Sequence, residues 1–483
     1  MAKLKNYNGH YCESEYEYAF MGFLEKENWI YTSGNDISRV TKKDVLIGDD
    51  FKGFLSKTNA DLLEDEVNHI YDNIRLVGSE SDFATLHKVY GWLVNGIQFT
   101  PQNGLAKMVN LIDFDNTDNN IFRVVNQLTV EYTNNGQKEN RRPDVVLYIN
   151  GIPLCIIELK NPADARATVY DAWEQINIRY WRDIPHLLHY CPLACISDGV
   201  KTRLGTVRTP YEHFYAWRRV NDGDKVSTLP FEETETMIKG VYAPTRFLEI
   251  FRDYIYFQDS IYDSDEVEIV CRYPQFFASK LLKQSIVNSV VTKSGKGGTY
   301  FGATGCGKTY TMAFLARQLA LRCTDIPEIG SPTIILIVDR EELQKQGAKL
   351  FTKSKEFLNL GEVSVVPNRK ILREELGARQ SGGFYICTIQ KFCDREDDKI
   401  GLINDRQNII CFSDEAHRTQ LEHSKKIQFS KDADENMKAM VSKPYAKVLK
   451  EAFPQATFVG FTGTPIAETY QTFGEEIDRY TMD

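Results

Sequence analysis

The feature that most constrains this sequence is the stretch GATGCGKT, Gly302 to Thr309. It fits the pattern G-x-x-x-x-G-K-S/T, in which Gly305 and Gly307 let backbone N–H groups curl around phosphate oxygens and Lys308 contacts the β- and γ-phosphates. This loop needs a strand before it and a helix after it, and the segments TYF and YTMAFLARQLA stand in those places. The following helix points its positive end at the phosphates. The sequence therefore predicts an ATP site here.

The rest of the second half has the pattern of a parallel α/β domain. Short β-rich runs alternate with helical patterns, which predicts a parallel sheet wrapped by helices; the clearest runs are Thr333–Val338, Phe384–Thr388, Asn408–Ser413 and Ala456–Thr462. Asp414 ends the third run and opens the segment DEAH. We expect Asp414 to hold Mg²⁺ together with the Thr309 hydroxyl, and Glu415 to polarise the attacking water.

These motifs resemble those of the superfamily 2 helicases and translocases. DEAH is one of their signatures, FTGTP at Phe461 to Pro465 matches another, and IVDREELQKQ and TIQKF are similar to their DNA-contacting motifs. The resemblance covers Val267 to Ala467 and implies that Gln275 reads the adenine of ATP. Such motors have two RecA-like lobes, and this chain ends soon after FTGTP. We therefore expect the N-terminal portion of a longer protein, with residues 469–483 starting a missing second lobe.

Length and composition set the domain organisation. With 483 residues and about 150 residues for each domain, two or three domains are expected. Acidic, turn-forming segments between Ser227 and Asp265 mark the main boundary. We expect one domain over residues 1–250 and a first RecA-like lobe over residues 265–468. The net charge of −9 argues against bulk coating of nucleic acid but leaves room for a local basic groove.

Two further features bear on the class of protein. The ten cysteines contain no C-x-x-C pair, which argues against a zinc site. The polar start MAKLKNYNGH does not resemble a signal peptide, and no apolar run approaches the roughly 20 residues that span a bilayer. We expect a cytoplasmic protein without a membrane segment.

The first half contains the segment RRPDVVLYINGIPLCIIELKNP, in which two β-like runs flank Asn150 and Gly151. This is a strong hairpin signal. A two-residue turn pairs residue 149 with 152, and Asp144 and Glu158 then lie on different faces of the hairpin. A three-residue or bulged turn instead pairs Asp144 with Glu158, and the two side chains share a face. If the charges form a metal site, the turn should be the three-residue or bulged kind.

Two carboxylates and a lysine on one face of a hairpin suit magnesium-dependent phosphodiester hydrolysis, because hard oxygens hold the ion. Asp144 and Glu158 are the expected ligands, the Leu159 carbonyl is a plausible third, and Lys160 is placed to orient the attacking water. The simpler alternative is an exposed strand end with alternating charges. The apolar strands that terminate in these charges favour the metal site.

This constellation resembles the PD-(D/E)xK nucleases, with Asp144 in PD and Glu158 to Lys160 as ExK. A nuclease of this kind before a superfamily 2 motor resembles the R subunit of type I restriction enzymes. The resemblance implies a mixed sheet with helices in the nuclease, and a glutamate lent by the opening helix, for which Glu13 and Glu17 are both candidates. It also implies a Q-x-x-x-Y element, but Tyr180 stands one residue too far from Gln175, which remains the DNA-contact candidate.

The resemblance implies ATP and Mg²⁺ as cofactors. It implies double-stranded DNA and the methyltransferase (M) and specificity (S) subunits as partners. One alternative is the cleavage subunit of a type III system, which is disfavoured because its nuclease is expected at the far end of the motor. Another is a superfamily 2 DNA-binding ATPase with an inactive nuclease-like domain, which the intact Asp144, Glu158 and Lys160 oppose.

Overall fold

The computed structural model describes residues 13–78, 80–102, 104–161, 168–226, 232–258, 266–303, 305–339, 341–392, 400–416, 427–431, 437–441, 445–464 and 467–481. Within these residues the chain divides into two compact units. The first runs to Phe257 and takes in Glu266–Arg272, and the second holds Gln258 and the described residues from Tyr273 onward.

The first unit is built around a six-stranded mixed sheet in the order β1-β4-β7-β8-β9-β10. Its neighbouring strands are parallel for β1 with β4 and for β8 with β9, and antiparallel elsewhere. The strands of the unit are β1 Ile30–Ser33, β2 Ile97–Phe99, β3 Lys107–Val109, β4 Phe122–Asn126, β5 Val130–Asn134, β6 Gln137–Arg141, β7 Val145–Ile149, β8 Ile152–Leu159, β9 Leu193–Ser197, β10 Thr202–Thr206, β11 Ile255–Phe257 and β12 Glu268–Val270.

Helices surround this sheet. Its α-helices are Glu13–Lys26, Gly48–Thr58, Glu64–Arg75, Asp82–Asn95, Val169–Glu174, Trp181–Asp183, Pro185–Leu188, Glu232–Met237 and Pro244–Asp253. Single turns of 3₁₀-helix cover Thr117–Asn119 and Tyr211–His213, and π-helical turns cover Gln175–Tyr180 and Ile238–Tyr242.

The central hairpin of β7 and β8 is buried along its whole length. Its strands read as continuous apolar runs because both faces of the sheet are covered, as in the interior of an α/β unit. Asn150 (φ 50°) and Gly151 (φ 75°) form the turn, and both adopt the left-handed backbone that a two-residue hairpin turn requires. A Cβ at Gly151 would lie 2.2 Å from the Ile47 carbonyl oxygen, so the turn packs too closely for a side chain.

The second unit has a seven-stranded sheet in the order β15-β16-β14-β17-β20-β13-β21, with every neighbouring pair parallel. Its strands are β13 Lys296–Gly302, β14 Thr333–Val338, β15 Val363–Val365, β16 Phe384–Thr388, β17 Ile409–Asp414, β20 Thr457–Thr462 and β21 Glu476–Tyr480, while β18 Ile427–Lys431 and β19 Met437–Val441 form a separate antiparallel pair. Its α-helices are Tyr273–Thr292, Lys308–Arg322, Glu341–Lys353, Lys355–Leu358, Arg369–Ala378, Tyr445–Ala452 and Ala467–Phe473, with a 3₁₀ turn at Ile389–Phe392.

The predicted fold class is confirmed: a mixed sheet with helices precedes a parallel α/β unit. The segment that follows Ile121 forms two strands in different sheets, with β4 in the six-stranded sheet and β5 paired with β6. Gln127, with φ 50°, lies between them and turns the chain out of the first sheet. No helix among the described residues is both long enough and apolar enough to cross a membrane.

Two expected domain limits differ from the structure. The first unit does not end at residue 250, because β11 pairs with β12 and carries the unit to Arg272. Residues 469–483 were expected to start another lobe, but β21 within that stretch pairs with β13 and forms an edge of the same parallel sheet. Short strands with charged residues, such as EIDRY in β21, lack the apolar run that identified the central strands.

Candidate functional site

The hairpin that carries the nuclease candidates is bulged. Leu147 pairs with Cys155, but Tyr148 pairs with Pro153, so the second strand has one extra residue at Leu154. A β-bulge of this kind shifts the register by one and re-aims the side chains beyond it. The register beyond the bulge sets Asp144 opposite Glu158, and the Asp144 N–H lies 3.4 Å from Glu158 Oε1. This is the bulged geometry that the sequence required for the two carboxylates to share a face.

Asp144 is fixed by the backbone around it. Its side chain is buried, and Oδ2 accepts a 2.8 Å hydrogen bond from the Leu159 N–H. Its carbonyl oxygen accepts a 2.9 Å hydrogen bond from the Gln127 N–H. The carboxylate is therefore held in one orientation at the end of the hairpin, with Oδ1 3.2 Å from Gln127 Nε2.

Glu158 is fully buried, and its two oxygens have different environments. Oε1 accepts a 2.6 Å hydrogen bond from the Tyr180 hydroxyl. Oε2 has no hydrogen-bond partner among the described residues and lies 3.8 Å from Lys160 Nζ. Burial, and then the nearby Asp144 charge, raise the pKa of Glu158 well above its usual range, while Lys160 opposes the shift. A buried carboxylate oxygen without a donor is the kind of atom that a cation satisfies.

Lys160 and Gln175 are joined by a hydrogen bond. Lys160 Nζ donates to Gln175 Oε1 at 3.0 Å, and Gln175 Nε2 donates to the Tyr180 hydroxyl at 2.7 Å. The amide of Gln175 thus connects the ammonium group to the phenol that contacts Glu158. The structure brings these four side chains into one network.

The segment Gln175–Tyr180 is a π-helical turn within a longer helical stretch. In a π-turn the hydrogen bond runs from residue i to i+5, so residues five apart face the same side, as residues four apart do in an α-helix. The extra residue between Gln175 and Tyr180 is absorbed by this turn. The sequence departure that placed Tyr180 in doubt is therefore compensated by the local backbone.

The opening helix brings Glu17 to the same end of the sheet. Glu17 is buried; its Oε1 accepts from Asn126 Nδ2 and its Oε2 from Gln127 Nε2, each at 2.7 Å. Gln127 Nε2 also lies 3.2 Å from Asp144 Oδ1. Sequence reasoning did not identify Asn126 and Gln127, although their position at the end of a strand next to the hairpin offered a signal. The side chain of Glu13, the other candidate, lies outside the described residues.

The donor set fits a magnesium ion better than a softer metal. Among the described residues, no three His, Cys, Asp or Glu side chains form a ready-made cage. Mg²⁺ is usually held by one or two carboxylates, with waters and substrate phosphates completing its shell. Asp144, the unpartnered Oε2 of Glu158 and the neighbouring Leu159 carbonyl suit that kind of incomplete protein shell.

In the second unit, the phosphate loop joins β13 to the helix Lys308–Arg322. Gly305 (φ 83°) and Gly307 (φ 86°) adopt left-handed backbones, and a Cβ at Gly307 would lie 2.5 Å from Gln275 Nε2. Lys308 Nζ donates to the Gly302 carbonyl oxygen at 3.2 Å, so the lysine folds back over the loop. The loop has the glycine conformations and the lysine that a phosphate cradle needs.

Gln275 and the DEAH carboxylates lie around this loop. Gln275 is buried and its Nε2 lies 3.4 Å from the Gly307 carbonyl oxygen. Glu415 Oε1 lies 3.7 Å from Lys308 Nζ. Asp414 Oδ1 accepts a 3.0 Å hydrogen bond from the Glu415 N–H, and burial, followed by the Glu415 charge, raises the pKa of Asp414 to about 6.

Thr309 occupies the first turn of the helix after the loop. The carboxyl ends of parallel strands meet at one edge of a sheet, which is why residues after β13 and at the end of β17 converge. His417 of DEAH and Pro465 of FTGTP lie outside the described residues. The segments IVDREELQKQ and TIQKF, which are similar to DNA-contacting motifs, are joined by a hydrogen bond, since Gln390 Nε2 donates to the Asp339 carbonyl oxygen at 2.7 Å.

Comparison with known families finds one match in each of the two units. Residues 11–213 match the family model described as type I restriction enzyme R protein N terminus. Residues 274–483 match the family model described as SWI2/SNF2 ATPase. The first match includes the carboxylate cluster, and the second includes the phosphate loop.

Curated relatives include subunits named as endonuclease subunits of type I restriction enzymes. The chain is 30% identical to the type I restriction enzyme HindI endonuclease subunit of Haemophilus influenzae, over 97% of this chain and 44% of the relative. It is 25% identical to the type I restriction enzyme SauCOLORF180P endonuclease subunit of Staphylococcus aureus, over 74% of this chain and 33% of the relative. The chain thus spans less than half the length of these relatives.

Proposed function

Because the chain joins the N-terminal domain of the type I restriction enzyme R protein family to a SWI2/SNF2 ATPase domain, we propose that it supplies the nuclease and first motor lobe of such an R subunit. The whole enzyme would translocate DNA with ATP and cleave unmethylated double-stranded DNA with Mg²⁺, as a type I site-specific deoxyribonuclease. The observation that supports this best is the bulged hairpin, which sets Asp144 opposite Glu158 beside Lys160.

In the nuclease, Asp144 and Glu158 are the proposed metal ligands, with the Leu159 carbonyl as a third. Bound Mg²⁺ would supply Lewis-acid stabilisation of charge on the scissile phosphate. Lys160 orients the attacking water and offsets phosphate charge. Gln175, which accepts the Lys160 hydrogen bond, fixes the direction of the ammonium group and is also placed to contact the DNA backbone.

Tyr180 and Glu17 support these ligands. The Tyr180 hydroxyl holds Glu158 Oε1, so Oε2 is the oxygen presented to the ion. Glu17, linked to Asp144 through the Gln127 amide, is the proposed carboxylate lent by the opening helix. Outer hydrogen bonds of this kind orient metal ligands and set their basicity.

In the motor, Lys308 is proposed to bind the β- and γ-phosphates of ATP through its ammonium group, with the N–H groups around Gly305 and Gly307. Thr309 and Asp414 are the proposed magnesium ligands. Glu415 polarises the attacking water, and Gln275 contacts the adenine. In this arrangement Lys308 exchanges its contacts with Gly302 and Glu415 for phosphate oxygens.

We propose double-stranded DNA and the M and S subunits of the restriction complex as partners. Sequence recognition would belong to those subunits, and this chain would hold DNA mainly through its phosphates. The nuclease precedes the motor in this chain, which favours the type I assignment over a type III subunit. The Glu158 oxygen left open to a cation favours an active nuclease over an inactive one.

The direct test uses the full-length R subunit, assembled with its M and S subunits, on unmethylated DNA with Mg²⁺ and ATP. We expect cleavage with the wild type and loss of cleavage with Asp144→Ala, which should keep ATP turnover. Cleavage by Asp144→Ala at the wild-type rate would refute the nuclease assignment. Intact DNA in the wild-type reaction, together with normal ATP turnover, would identify an inactive nuclease-like domain.

A further inference from the structure

The side chain of Gln127 lies between two of the three nuclease carboxylates. Its Nε2 is 2.7 Å from Glu17 Oε2 and 3.2 Å from Asp144 Oδ1. One amide group thus donates toward two carboxylates, which lowers their mutual repulsion without adding a net charge. The position is the one a second cation would take if it bridged Glu17 and Asp144.

The spacing supports this comparison. The two distances place Glu17 Oε2 and Asp144 Oδ1 no more than about 6 Å apart. A magnesium ion between two carboxylates binds each oxygen at about 2.0–2.1 Å, so the two oxygens would approach each other by up to about 2 Å for bridging. The amide nitrogen fills this gap, and an ion and the amide cannot occupy it together.

Gln127 is held in place by its own backbone as well. Its left-handed conformation (φ 50°) ends β4, and its N–H donates to the Asp144 carbonyl oxygen at 2.9 Å. The preceding residue, Asn126, donates to the other oxygen of Glu17 and accepts a 3.2 Å hydrogen bond from the Tyr31 hydroxyl. Hydrogen bonds to neighbouring segments therefore hold both amide residues in place, unlike a free side chain at the surface.

The side of Asp144 that faces Glu158 has no side-chain amide donor of this kind among the described residues. There, Glu158 Oε2 is buried and has no hydrogen-bond partner among the described residues. Neutral donors hold Glu17, whereas the Glu158 side of the cluster has an oxygen without a hydrogen bond from the described residues, 3.8 Å from Lys160 Nζ. An ion is therefore favoured between Asp144 and Glu158 and disfavoured between Asp144 and Glu17.

We propose that Gln127 is a positioning residue that limits the nuclease to one divalent ion, because its amide occupies the place of a second ion between Glu17 and Asp144. This inference rests on the proposed nuclease function. It assigns the Asp144–Glu158 side to the ion, and it gives Glu17 a role in fixing Asp144 through Gln127 instead of direct ligation.

The test counts bound Mn²⁺, a probe that accepts the same oxygen ligands as Mg²⁺, by the electron paramagnetic resonance signal of the free ion. The measurement is made without nucleotide. Ions that the wild type binds and Asp144→Ala does not bind are assigned to the nuclease site. We expect the wild type to bind one more ion than Asp144→Ala. Gln127→Glu, which places a third carboxylate in the gap, should bind one more ion than the wild type.

Gln127→Leu and Gln137→Glu are the matched controls. Leucine refills the gap without a ligand, so Gln127→Leu should bind the wild-type number of ions. Gln137 is exposed on β6, and Gln137→Glu adds the same charge to the same unit without adding a bound ion. An increase in Gln137→Glu equal to that in Gln127→Glu would show a general charge effect and overturn the proposal.

Thermal unfolding covers the case in which clustered carboxylates destabilise Gln127→Glu. Its Tm should be low in chelator and should rise with Mn²⁺ by more than the wild-type Tm does; the same rise in both proteins would overturn the proposal. Two ions lost from the wild type by Asp144→Ala would also overturn it and leave the nuclease standing. Equal ion numbers in Asp144→Ala and the wild type would instead refute the proposed nuclease site.

Discussion

The Tyr180 hydroxyl donates a 2.6 Å hydrogen bond to Glu158 Oε1, and the two residues are 22 positions apart in the chain. The π-helical turn Gln175–Tyr180 makes this contact compatible with the contact between Gln175 and Lys160. The two carboxylate oxygens of Glu158 therefore have different contacts. One oxygen is held by the protein, and the other is left for a cation or for Lys160.

Replacing Tyr180 by phenylalanine tests this contact. Tyr180→Phe removes the donor to Glu158 but keeps the ring, so the carboxylate loses its fixed orientation. We expect DNA cleavage by the assembled enzyme to fall by roughly 10–100-fold, the usual effect of losing a hydrogen bond to a metal ligand. ATP turnover should stay at the wild-type rate. Unchanged cleavage would show that the hydroxyl does not orient Glu158.

Deleting Ile178 tests the function of the π-turn. Ile178 is 48% exposed and lies between Gln175 and Tyr180. The deletion gives Q-x-x-x-Y spacing, and a regular α-helical turn should then place both side chains on the same face. We expect the shortened protein to retain DNA cleavage within a few-fold of the wild-type rate.

Deletion of Ser56 or of Lys57 from the helix Gly48–Thr58 provides the contrast, because no π-turn there absorbs the change in register. These deletions should lower the Tm of the first unit more than deletion of Ile178. Loss of cleavage in a folded Ile178 deletion would mean that the five-residue spacing has a role of its own.

The sequence predicted the hairpin of the candidate site, because alternation along strands and the Asn150–Gly151 turn define which side chains can share a face. It left the choice of register open, and the structure places the bulge at Leu154. The contacts of Glu17 with Asn126 and Gln127 were not predicted, since they join segments more than 100 residues apart. Only the folded sheet brings these segments together.

In the second unit, too, local sequence patterns predicted some elements and missed one that depends on long-range pairing. The phosphate loop and the DEAH segment could be predicted because each is a short sequence pattern with a known chemical role. The central strands could be predicted because they are apolar runs. β21 has a charged sequence and gains its place by pairing with β13, which no local pattern indicates. The end of the unit was therefore placed too early, whereas its centre was predicted to within a residue.

Substitutions of Lys308 and of Glu415 should affect ATP binding and ATP hydrolysis differently. Lys308→Ala removes a charged contact to the phosphates, and losing such a contact costs about 1.5–3 kcal/mol, so ATP affinity should fall by roughly 10–100-fold. Glu415→Gln keeps the shape and the phosphate contacts, so ATP should still bind while turnover is lost. Calorimetry of ATP binding and a phosphate-release assay on the full-length R subunit would measure both. Normal turnover in Glu415→Gln would refute its role.

Glu268 gives a prediction on pH-dependent stability. It is buried in β12, and neither carboxylate oxygen has a hydrogen-bond partner among the described residues. Burial raises the pKa of Glu268 well above its usual range. The folded protein therefore keeps this proton at pH values where the unfolded chain has released it. Stability from this group is greatest at low pH and falls as the pH rises above the pKa of the unfolded chain.

Glu268→Gln should remove that contribution, since glutamine does not titrate. The free energy of unfolding of the wild type should fall relative to the variant by up to about 1.4 kcal/mol for each pH unit within the window between the two pKa values. Calorimetric Tm values of the first unit between pH 5 and pH 8 would measure the difference. Glu25→Gln, which removes an exposed carboxylate elsewhere in the same unit, should leave the pH dependence of the Tm unchanged. A constant Tm difference between Glu268→Gln and the wild type across this range would mean that Glu268 is ionised in the folded protein, so that its charge must be balanced there.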